Sequence, residues 1–428
     1  MKSWSVPSVP VLPGTGTVPS IFDTRSGRLV KAQPEGNTAT LYVCGITPYD
    51  ATHIGHAATY LVYDLLLRVW QDAGLDILYA QNVTDVDDPL LERASATGVD
   101  WRDLAQEQTD LFRSDMQVLS IIPPQHYVAV TDSIDHIAAG VDQLLKDGFA
   151  YRVPVSGTEG DVYFDNEAAA RLTEWSVGST TPYDPQTLEE LNRERGGDPD
   201  RPGKKSPLDP LLWLAEREGE PSWESPVGRG RPGWHVECSV IAVEALGSEI
   251  TVQGGGVDLV FPHHDFSAGH ALALNNRSLA KIFNHAALVS YRGEKMSKSK
   301  GNLEFISRLT TEGIEPAAIR LTLLAQHYRT QWEWKEELLH RAQKRLALWR
   351  SAFTLSPQNT AASALPSSGE GNLIKAHDLL SDMRSALSQD LDAPTALQAV
   401  DTAAVMGVDD PALVLDAVDS LLGIKLHR

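Results

Sequence analysis

Residues 41–59, LYVCGITPYDATHIGHAAT, constrain the fold of this chain more than any other stretch. An apolar run ends at Val43, a turn containing Cys44 and Gly45 follows, and His53-Ile54-Gly55-His56 then opens a long amphipathic segment. This order predicts a buried strand, a loop and a helix. In an α/β sheet such a unit presents ligands at the carboxyl end of the strand, where a thiol would face two imidazoles and Gly55 would let a ligand approach the backbone. We therefore expect a nucleotide phosphate to bind here.

The chain beyond this unit predicts a parallel sheet. Apolar residues recur at helical spacing from residue 53 to residue 74, and residues 77–80 form a short apolar run. Together they predict a βαβ unit with a right-handed crossover. The mainly polar segment 82–88, NVTDVDD, follows the second predicted strand. We therefore expect it at the same carboxyl edge of the sheet as the loop after the first strand. Residues 161–164 are strand-like. The sheet is predicted to resume at residues 250–253 and 286–290, because each of these two runs is apolar and is followed by Gly or polar residues.

The organisation of the chain predicts three regions. Residues 1–38 show little periodicity and predict a loose N-terminal arm. Residues 39–330 contain the predicted strands and form the sheet domain, with a helical insertion at about residues 95–230. Residues 331–428 predict an all-α C-terminal domain with a low-complexity linker at 356–372. From residue 356 onward there are ten Asp or Glu against four Lys or Arg, so this tail is acidic.

Composition narrows the function classes. The net charge of −20 disfavours a large nucleic-acid surface, because phosphate binding needs clustered Lys and Arg. The chain has no uninterrupted apolar run of about 18 residues and no signal-peptide pattern, so we expect a cytoplasmic protein without a membrane span. The two cysteines, Cys44 and Cys238, fit buried hydrophobic residues, one disulfide or two metal ligands. A disulfide is the least expected of these in a chain without a signal.

Residues 292–302, RGEKMSKSKGN, place three lysines among Gly and Ser. This pattern predicts a mobile cationic loop at 293–300, for which a solvated surface turn is the simplest interpretation. The presence of paired histidines and Gly-rich turns on the same α/β frame favours a functional role for the loop.

Two of these segments resemble signatures of a known class. His53-Ile54-Gly55-His56 and Lys295-Met296-Ser297-Lys298-Ser299 are similar to the two signatures of class I aminoacyl-tRNA synthetases. The segments YVCGITPYDATHIGH, NVTDVDD, GRPGWHVEC and FPHHDFS resemble the cysteinyl-tRNA synthetase set. The match is closer to a synthetase relative, the ligases of mycothiol biosynthesis that join cysteine to the amine of glucosaminyl-inositol, since CGITPYDATHIGHAAT and ERGGDP are similar to segments of those ligases. The resemblance implies a Rossmann-like catalytic domain with a parallel sheet and a helical insertion, followed by an all-α domain.

The resemblance also implies a zinc site, one Zn²⁺ per chain. Its ligands would be Cys44, Cys238 and His263, while the adjacent His264 would point elsewhere. The tRNA enzymes carry a Glu four residues after that histidine, but this chain has Ser267, which is a poor zinc ligand. Three protein donors leave one tetrahedral position open for the substrate thiolate, as in catalytic zinc sites. Soft sulfur bound to the metal would separate cysteine from serine.

Activation of cysteine by ATP needs positioning and charge neutralisation. By resemblance, His53 and His56 would contact the phosphates, and Lys295 and Lys298 would close over the pyrophosphate with Mg²⁺. The cysteinyl-adenylate would be bound by a larger set of residues. These are Cys44, Gly45, Ile46, Thr47, Thr59, Asn82, Val83, Thr84, Trp234, Gly256, Val257, Asp258 and Val289.

The acceptor amine must lose a proton before or during attack. Asp258 and His56 are both candidates for the general base, and the sequence does not decide between them. A sugar acceptor also requires several hydrogen-bonding groups, and the ERGGDP segment is the predicted source. Its residues are Glu194, Arg195, Gly196, Gly197, Asp198 and Pro199.

The main hypothesis is an ATP-dependent, AMP-forming ligase that joins L-cysteine to the amine of glucosaminyl-inositol through a cysteinyl-adenylate. It is expected to act as a monomer, without tRNA and without a membrane. One alternative is a cysteinyl-tRNA synthetase, against which stand Ser267 and the short acidic tail. A second alternative is a non-catalytic cysteine- or adenylate-binding paralogue, which would not need to keep both signatures.

Overall fold

The computed structural model describes residues 1–49, 51–291, 293–295, 303–354 and 373–427, and for residues 294 and 295 it describes the backbone alone. The strands are β1 (Ser20–Asp23), β2 (Arg28–Lys31), β3 (Thr38–Val43), β4 (Asp76–Val83), β5 (His126–Ala129), β6 (Ala150–Val153), β7 (Asp161–Phe164), β8 (Leu211–Ala215), β9 (Gly230–Pro232), β10 (Ile250–Gly256), β11 (Ala280–Ala286), β12 (Val289–Tyr291), β13 (Glu294–Lys295) and β14 (Trp332–Trp334).

The α-helices are α1 (Ile54–Asp72), α2 (Asp88–Thr97), α3 (Trp101–Val118), α4 (Ile134–Lys146), α5 (Asn166–Leu172), α6 (Pro185–Glu194), α7 (Trp234–Leu246), α8 (Asp265–Asn275), α9 (Ile306–Thr311), α10 (Pro316–Leu324), α11 (Glu336–Phe353), α12 (Ala376–Ser388), α13 (Ala393–Met406) and α14 (Pro411–Leu422). Two short turns of other helical types, Val257–Leu259 and Val260–His264, precede α8.

The centre of the fold is a five-stranded parallel sheet, which confirms the predicted α/β class. Its strand order is β11-β10-β3-β4-β5. From β3 the chain adds β4 and β5 on one side, and β10 and β11 later join on the other side. The order therefore reverses beside β3, and α/β sheets bind ligands at such switch points. The strand, loop and helix of residues 41–59 lie at this position.

The predicted insertion differs from the structure in two ways. Strand β5 lies within residues 95–230 but pairs with β4 as the edge of the central sheet. Strands β6 to β9 form a separate four-stranded antiparallel sheet, so the insertion is not purely helical. The strand predicted at residues 286–290 was also misplaced. β11 ends at Ala286, and the next strand, β12, pairs with β13 and β14 in a smaller sheet.

The N-terminal residues are not a loose arm. β1 and β2 form a hairpin, and the buried Trp4 donates from its indole nitrogen to the carbonyl oxygen of Ile121 at 2.7 Å. At the other end of the chain, α11 to α14 form the predicted helical region, which packs on α1 and α10. The low-complexity segment 356–372 lies outside the described residues. Within the described ranges, none of the helices has both the length and the apolar content needed to cross a bilayer.

Candidate active site

A cavity of about 870 Å³ opens at the carboxyl ends of β3, β4, β10 and β11. Its opposite wall comes from β7, β8 and β9 of the antiparallel sheet. Many of the predicted site residues line it. These are Cys44, Gly45, Ile46, Thr47, His53, His56, Thr59, Glu194, Arg195, Gly196, Gly197, Asp198, Trp234, Gly256, Asp258 and Val289. The cavity therefore brings together side chains from five separate segments of the sequence.

Cys44, Cys238 and His263 converge beside this cavity. Their donor atoms all lie within 4.8 Å of one another, and all three residues are buried. The two thiols are free, with their sulfur atoms 3.7 Å apart. Among the described residues, the buried Nε2 atom of His263 has no hydrogen-bond partner. Two soft sulfur donors and an unpartnered imidazole nitrogen fit the preferences of Zn²⁺.

The electrostatics of the thiols also suit a cation. Burial raises the pKa of the Cys44 thiol well above its ordinary value. Burial acts in the same direction on Cys238, but the hydrogen bond from Cys44 and the nearby His263 outweigh it and bring the pKa of Cys238 below its ordinary value. The hydrogen bond that Cys44 donates to Cys238 therefore favours the thiolate form of Cys238. A thiolate is the form of cysteine that binds metals.

His263 is held from two sides. Its Nδ1 atom lies 3.1 Å from Nδ1 of His235. The indole ring of Trp234 lies against the imidazole of His263, with ring centroids 4.4 Å apart. Burial lowers the pKa of His235 well below its ordinary value and so favours its neutral form beside His263. Such partners fix the tautomer and orientation of a metal ligand. His235 was not among the predicted site residues, although it lies in the GRPGWHVEC segment.

The expectation that His264 points away from the thiols is wrong. Its Nε2 atom lies 3.2 Å from the sulfur of Cys44 and 3.2 Å from Nε2 of Gln253. Its Nδ1 atom lies 2.7 Å from Nε2 of His285, and Nδ1 of His285 lies 2.7 Å from the hydroxyl of Thr24. A buried chain of polar groups thus runs from the thiol to the N-terminal hairpin. Correct placement of β11 at residues 280–286 would have put His285 at the carboxyl end of a core strand.

Ser267 does not face the thiols. Its hydroxyl donates to the carbonyl oxygen of His235 at 3.0 Å, between helices α7 and α8. The position that would carry a fourth protein ligand is therefore used to hold α7 and α8 together. Of the three donors, Cys44 is the one that lines the described wall of the cavity.

His53 is the N-cap of α1. Its Nδ1 atom accepts hydrogen bonds from the backbone N–H groups of Gly55 at 3.1 Å and His56 at 3.4 Å. The proton of the imidazole therefore sits on Nε2, and the rings of His53 and His56 stack with centroids 3.8 Å apart. Two of the helix-terminal amides are thus bonded to His53 itself. Gly55 is required because a Cβ there would lie 2.9 Å from the His53 ring.

Residues 304–306, which follow the second signature in the sequence, pair with the backbone of the first signature. The N–H of Ile54 donates to the carbonyl oxygen of Glu304 at 2.9 Å, and the N–H of Ile306 donates to that of Thr52 at 3.2 Å. Lys295 lies in β13, opposite Ser290 of β12. Lys298 lies outside the described residues.

Residues 82–84 support the loop after β3 and are not part of the cavity wall among the described residues. Oδ1 of Asn82 accepts from the N–H of Gly45 at 2.9 Å, and Nδ2 of Asn82 donates to the hydroxyl of Thr84 at 3.0 Å. The N–H of Thr84 donates to the carbonyl oxygen of Ile46 at 3.0 Å, and Val83 is buried in the core. A Cβ on Gly45 would lie 1.6 Å from the carbonyl oxygen of Asn82, so glycine alone fits there.

The predicted adenylate-binding residues lie on the other side of the cavity. Thr59 is one turn beyond His56 on α1, and Gly256 ends β10 with Asp258 just after it. Val289 begins β12. Val257 lies in the same turn as Asp258 but is not part of the cavity wall within the described ranges.

Residues 194–198 line the cavity near the antiparallel sheet, and Pro199 is not part of its described wall. Two acidic residues of the NVTDVDD segment, Asp87 and Asp88, line it as well. Burial raises the pKa of Asp87 to about 6. Asp88 pairs with Arg231 of β9, and this ion pair connects the loop after β4 to the insertion.

Comparison with known proteins agrees with this architecture. Residues 30–344 match the family model of the tRNA synthetases class I (C) catalytic domain. Among solved structures, methionyl-tRNA synthetase of Mycobacterium tuberculosis in complex with methionyl-adenylate superposes with a TM-score of 0.62 at 17% identity. That superposition covers 87% of this chain and 82% of the other, and it shows a shared fold.

Relatives of higher identity match over the whole chain. An L-cysteine:1D-myo-inositol 2-amino-2-deoxy-alpha-D-glucopyranoside ligase of Clavibacter michiganensis subsp. michiganensis is 52% identical, covering 100% of this chain and 99% of that protein. A ligase of the same name from Kineococcus radiotolerans is also 52% identical and covers 100% of both chains. The chain therefore belongs to the L-cysteine:1D-myo-inositol 2-amino-2-deoxy-alpha-D-glucopyranoside ligase family, within the class I (C) synthetase catalytic domains.

Proposed function

We propose that this protein joins L-cysteine to the amine of glucosaminyl-inositol, with cleavage of ATP to AMP and pyrophosphate. The observation that carries the proposal is the end-to-end match, at 52% identity, to ligases named for this reaction. The cavity supports it, because a thiol-binding end, a pair of stacked imidazoles and a polar antiparallel sheet surround one space.

In the first step, a carboxylate oxygen of cysteine attacks the α-phosphorus of ATP, and the bond to the pyrophosphate oxygen breaks. His53 presents its Nε2–H, and His56 stacks beside it, where charge develops on the phosphoryl oxygens. Thr59, Gly256 and Asp258 hold the nucleoside part of the adenylate. Lys295 and Lys298 are proposed to neutralise the departing pyrophosphate together with Mg²⁺.

Selection of cysteine is assigned to Cys44, Cys238 and His263 with a zinc ion. When bound, the ion supplies a soft position for the substrate sulfur as thiolate, which the hydroxyl of serine does not match. Trp234 and His235 orient His263, and Asn82 and Thr84 hold the loop that carries Cys44. These residues set the geometry of the thiol pocket before substrate enters.

In the second step, the amine nitrogen of the acceptor attacks the carbonyl carbon of the adenylate, and AMP leaves. The proton of the amine goes to Asp258 or His56, both of which line the cavity. The sugar and inositol hydroxyls are proposed to contact the antiparallel-sheet side, where Glu194, Gly196 and Asp198 lie.

A role in charging tRNA is less well supported. The described C-terminal helices pack onto α1 and α10, so they complete the catalytic domain. Ser267 bonds to His235 and does not supply a fourth ligand. Intracellular substrates such as ATP, and two free thiols, agree with action in the cytoplasm. We retain the prediction of a monomer.

One assay tests the proposal. The protein is incubated with ATP and cysteine, and with either glucosaminyl-inositol or tRNA, while AMP release and the amide product are followed. We expect AMP and Cys-GlcN-Ins with the sugar acceptor alone. Acceleration by tRNA alone would contradict the proposal, and absence of AMP with any acceptor would favour a non-catalytic paralogue.

A further inference from the structure

We propose that Arg195 is a positioning residue for adenylation, which holds the turn that carries Asp258 and leads to His263. Its Nη1 atom donates hydrogen bonds to the backbone carbonyl oxygens of Asp258 and Phe261. The inference rests on the proposed function, because it concerns the same cavity. It assigns to one residue of the ERGGDP segment a role that differs from acceptor binding.

The local sequence aims Arg195 at this turn. Helix α6 ends at the preceding residue, and Gly196 adopts a left-handed conformation with φ of +87°. The N–H of Gly197 closes the helix end on the carbonyl oxygen of Asn192 at 2.8 Å. One residue further on, Asp198 accepts a hydrogen bond from the hydroxyl of Tyr163 on β7. The segment is therefore fixed to the antiparallel sheet on one side and to the catalytic turn on the other.

The turn needs an external donor. Phe261 has an extended backbone, with φ of −141° and ψ of 138°, which interrupts the helical turn that ends at His264. Carbonyl groups at such a break lose their regular helical partners, and buried carbonyl groups require hydrogen bonds. A guanidinium donor forms charge-assisted bonds, which are stronger than those between neutral groups. Arg195 thereby fixes Asp258, in the adenylate region, and Phe261, two residues before the metal-cluster residue His263.

The charge of Arg195 also favours a role toward ATP. Arg201, Arg217 and Arg231 line the same cavity, and each pairs with a carboxylate. Across the described part of the chain, Arg195 forms no ion pair with a carboxylate. Its positive charge therefore remains available to attract the anionic phosphates of ATP and the adenylate, and it repels the ammonium form of the acceptor.

The test is cysteine-dependent exchange between ATP and pyrophosphate, which needs no acceptor. We expect Arg195→Ala to lower kcat/KM for ATP by about 10- to 100-fold, as substitutions of supporting residues around a site commonly do. Arg193→Ala is the matched control, because Arg193 lies two residues earlier, in the last turn of α6, and pairs with Asp200 at the surface. It should leave exchange unchanged. Added guanidinium ion should restore part of the activity of Arg195→Ala and have no such effect on the control.

Three results would overturn the inference. One is exchange within twofold of wild type in Arg195→Ala together with a raised KM for glucosaminyl-inositol, which would make Arg195 an acceptor ligand. The second is an equal loss of exchange activity in Arg195→Ala and Arg193→Ala. The third is no recovery of exchange activity in Arg195→Ala when guanidinium ion is added. If Arg195→Ala does not fold by circular dichroism, Arg195→Gln, which keeps one donor, replaces it in the same comparison. Absence of exchange in the wild-type protein would count against the proposed function itself, whereas normal wild-type exchange with unaffected variants counts against Arg195 alone.

Discussion

Replacement of Asp64 by asparagine is predicted to lower the free energy of unfolding by about 3 kcal/mol. The carboxylate of Asp64 is fully buried on α1 between two buried guanidinium groups, those of Arg68 and Arg320. It accepts from Nε of Arg68 at 2.8 Å, from Nη2 of Arg320, and from the N–H of Ile122 at 2.8 Å. Asparagine has nearly the same shape as aspartate but carries no charge. Among the described contacts, Asp64 is the only acidic side chain paired with Arg68 and Arg320, so the variant leaves both arginines without an anionic partner.

The magnitude follows from what remains after the change. Removal of one partner from a buried ion pair commonly costs about 3–5 kcal/mol, because the other charge stays buried without compensation. Here the two arginines keep hydrogen bonds to carbonyl oxygens, among them those of Ser120, Ser420 and Leu422. These dipoles compensate part of the charge, so we expect the lower end of the range.

Equilibrium unfolding in urea, followed by circular dichroism, measures this loss. The matched control is Glu312→Gln, which breaks the exposed pair with Arg308 and should cost no more than about 1 kcal/mol. Burial alone would raise the pKa of Asp64, but Arg320 and Arg68 outweigh it and hold the pKa below its ordinary value. The stabilisation by the carboxylate is therefore present above about pH 4 and is lost as the pH falls through the folded-state pKa. The difference between wild type and variant should shrink accordingly.

A loss below about 1 kcal/mol at neutral pH would refute this reasoning, since it would mean that the charges are hydrated. The reasoning would also be refuted if the triple variant Asp64→Leu, Arg68→Met, Arg320→Met had a lower free energy of unfolding than Asp64→Asn. Replacement of a whole buried charge network by apolar residues is expected to cost less than breaking it.

Three further predictions concern the site and its support. Cys238→Ala should lose both bound zinc and cysteine-dependent pyrophosphate exchange, and unchanged exchange in metal-free variant protein would refute the zinc-thiolate role. Gly45→Ala should displace the loop of Cys44, because its Cβ would lie 1.6 Å from the carbonyl oxygen of Asn82, and metal titration should show weaker binding. Burial raises the pKa of Asp115 to about 7, so its ionisation opposes folding as the pH rises from about 4 through 7. Asp115→Asn should therefore raise the urea midpoint at pH 8 and leave it unchanged at pH 4, and equal midpoints at pH 8 would contradict the argument.

The sequence predicted the parallel sheet well where hydrophobic periodicity was strong. β3 and α1 lie where the 41–59 stretch placed them, because a long apolar helix face and a short apolar strand are distinctive. β5 was not predicted, because its four residues, HYVA, lie between helices and are too few to show a hydrophobic periodicity. β11 was misplaced because it contains Asn284 and His285, whose polar groups are buried through hydrogen bonds to the N-terminal hairpin. Such partners are distant in sequence, so periodicity does not reveal them.

The candidate site shows the same division. Resemblance to motifs pointed to Cys44, Cys238 and His263, and the structure brings their donor atoms together. The position of His264 was predicted wrongly because an extended residue, Phe261, breaks the helical spacing just before it. The contacts of Arg195 depend on a turn 63 residues away in sequence, so no local pattern indicates them. The predicted domain limits and the individual roles of the site residues remain predictions.

The backbone pairing of Ile54 with Glu304, which follows the second signature, has a consequence for the order of events during synthesis. Ile54 obtains its hydrogen-bond acceptor from Glu304, 250 positions later in the chain. A growing polypeptide therefore has all the residues of α1 long before it can complete the first turn in its final environment. Contacts of such long sequence separation form late. A partly synthesised chain should consequently be unable to activate cysteine, and no reactive adenylate should be released before the fold around it is complete.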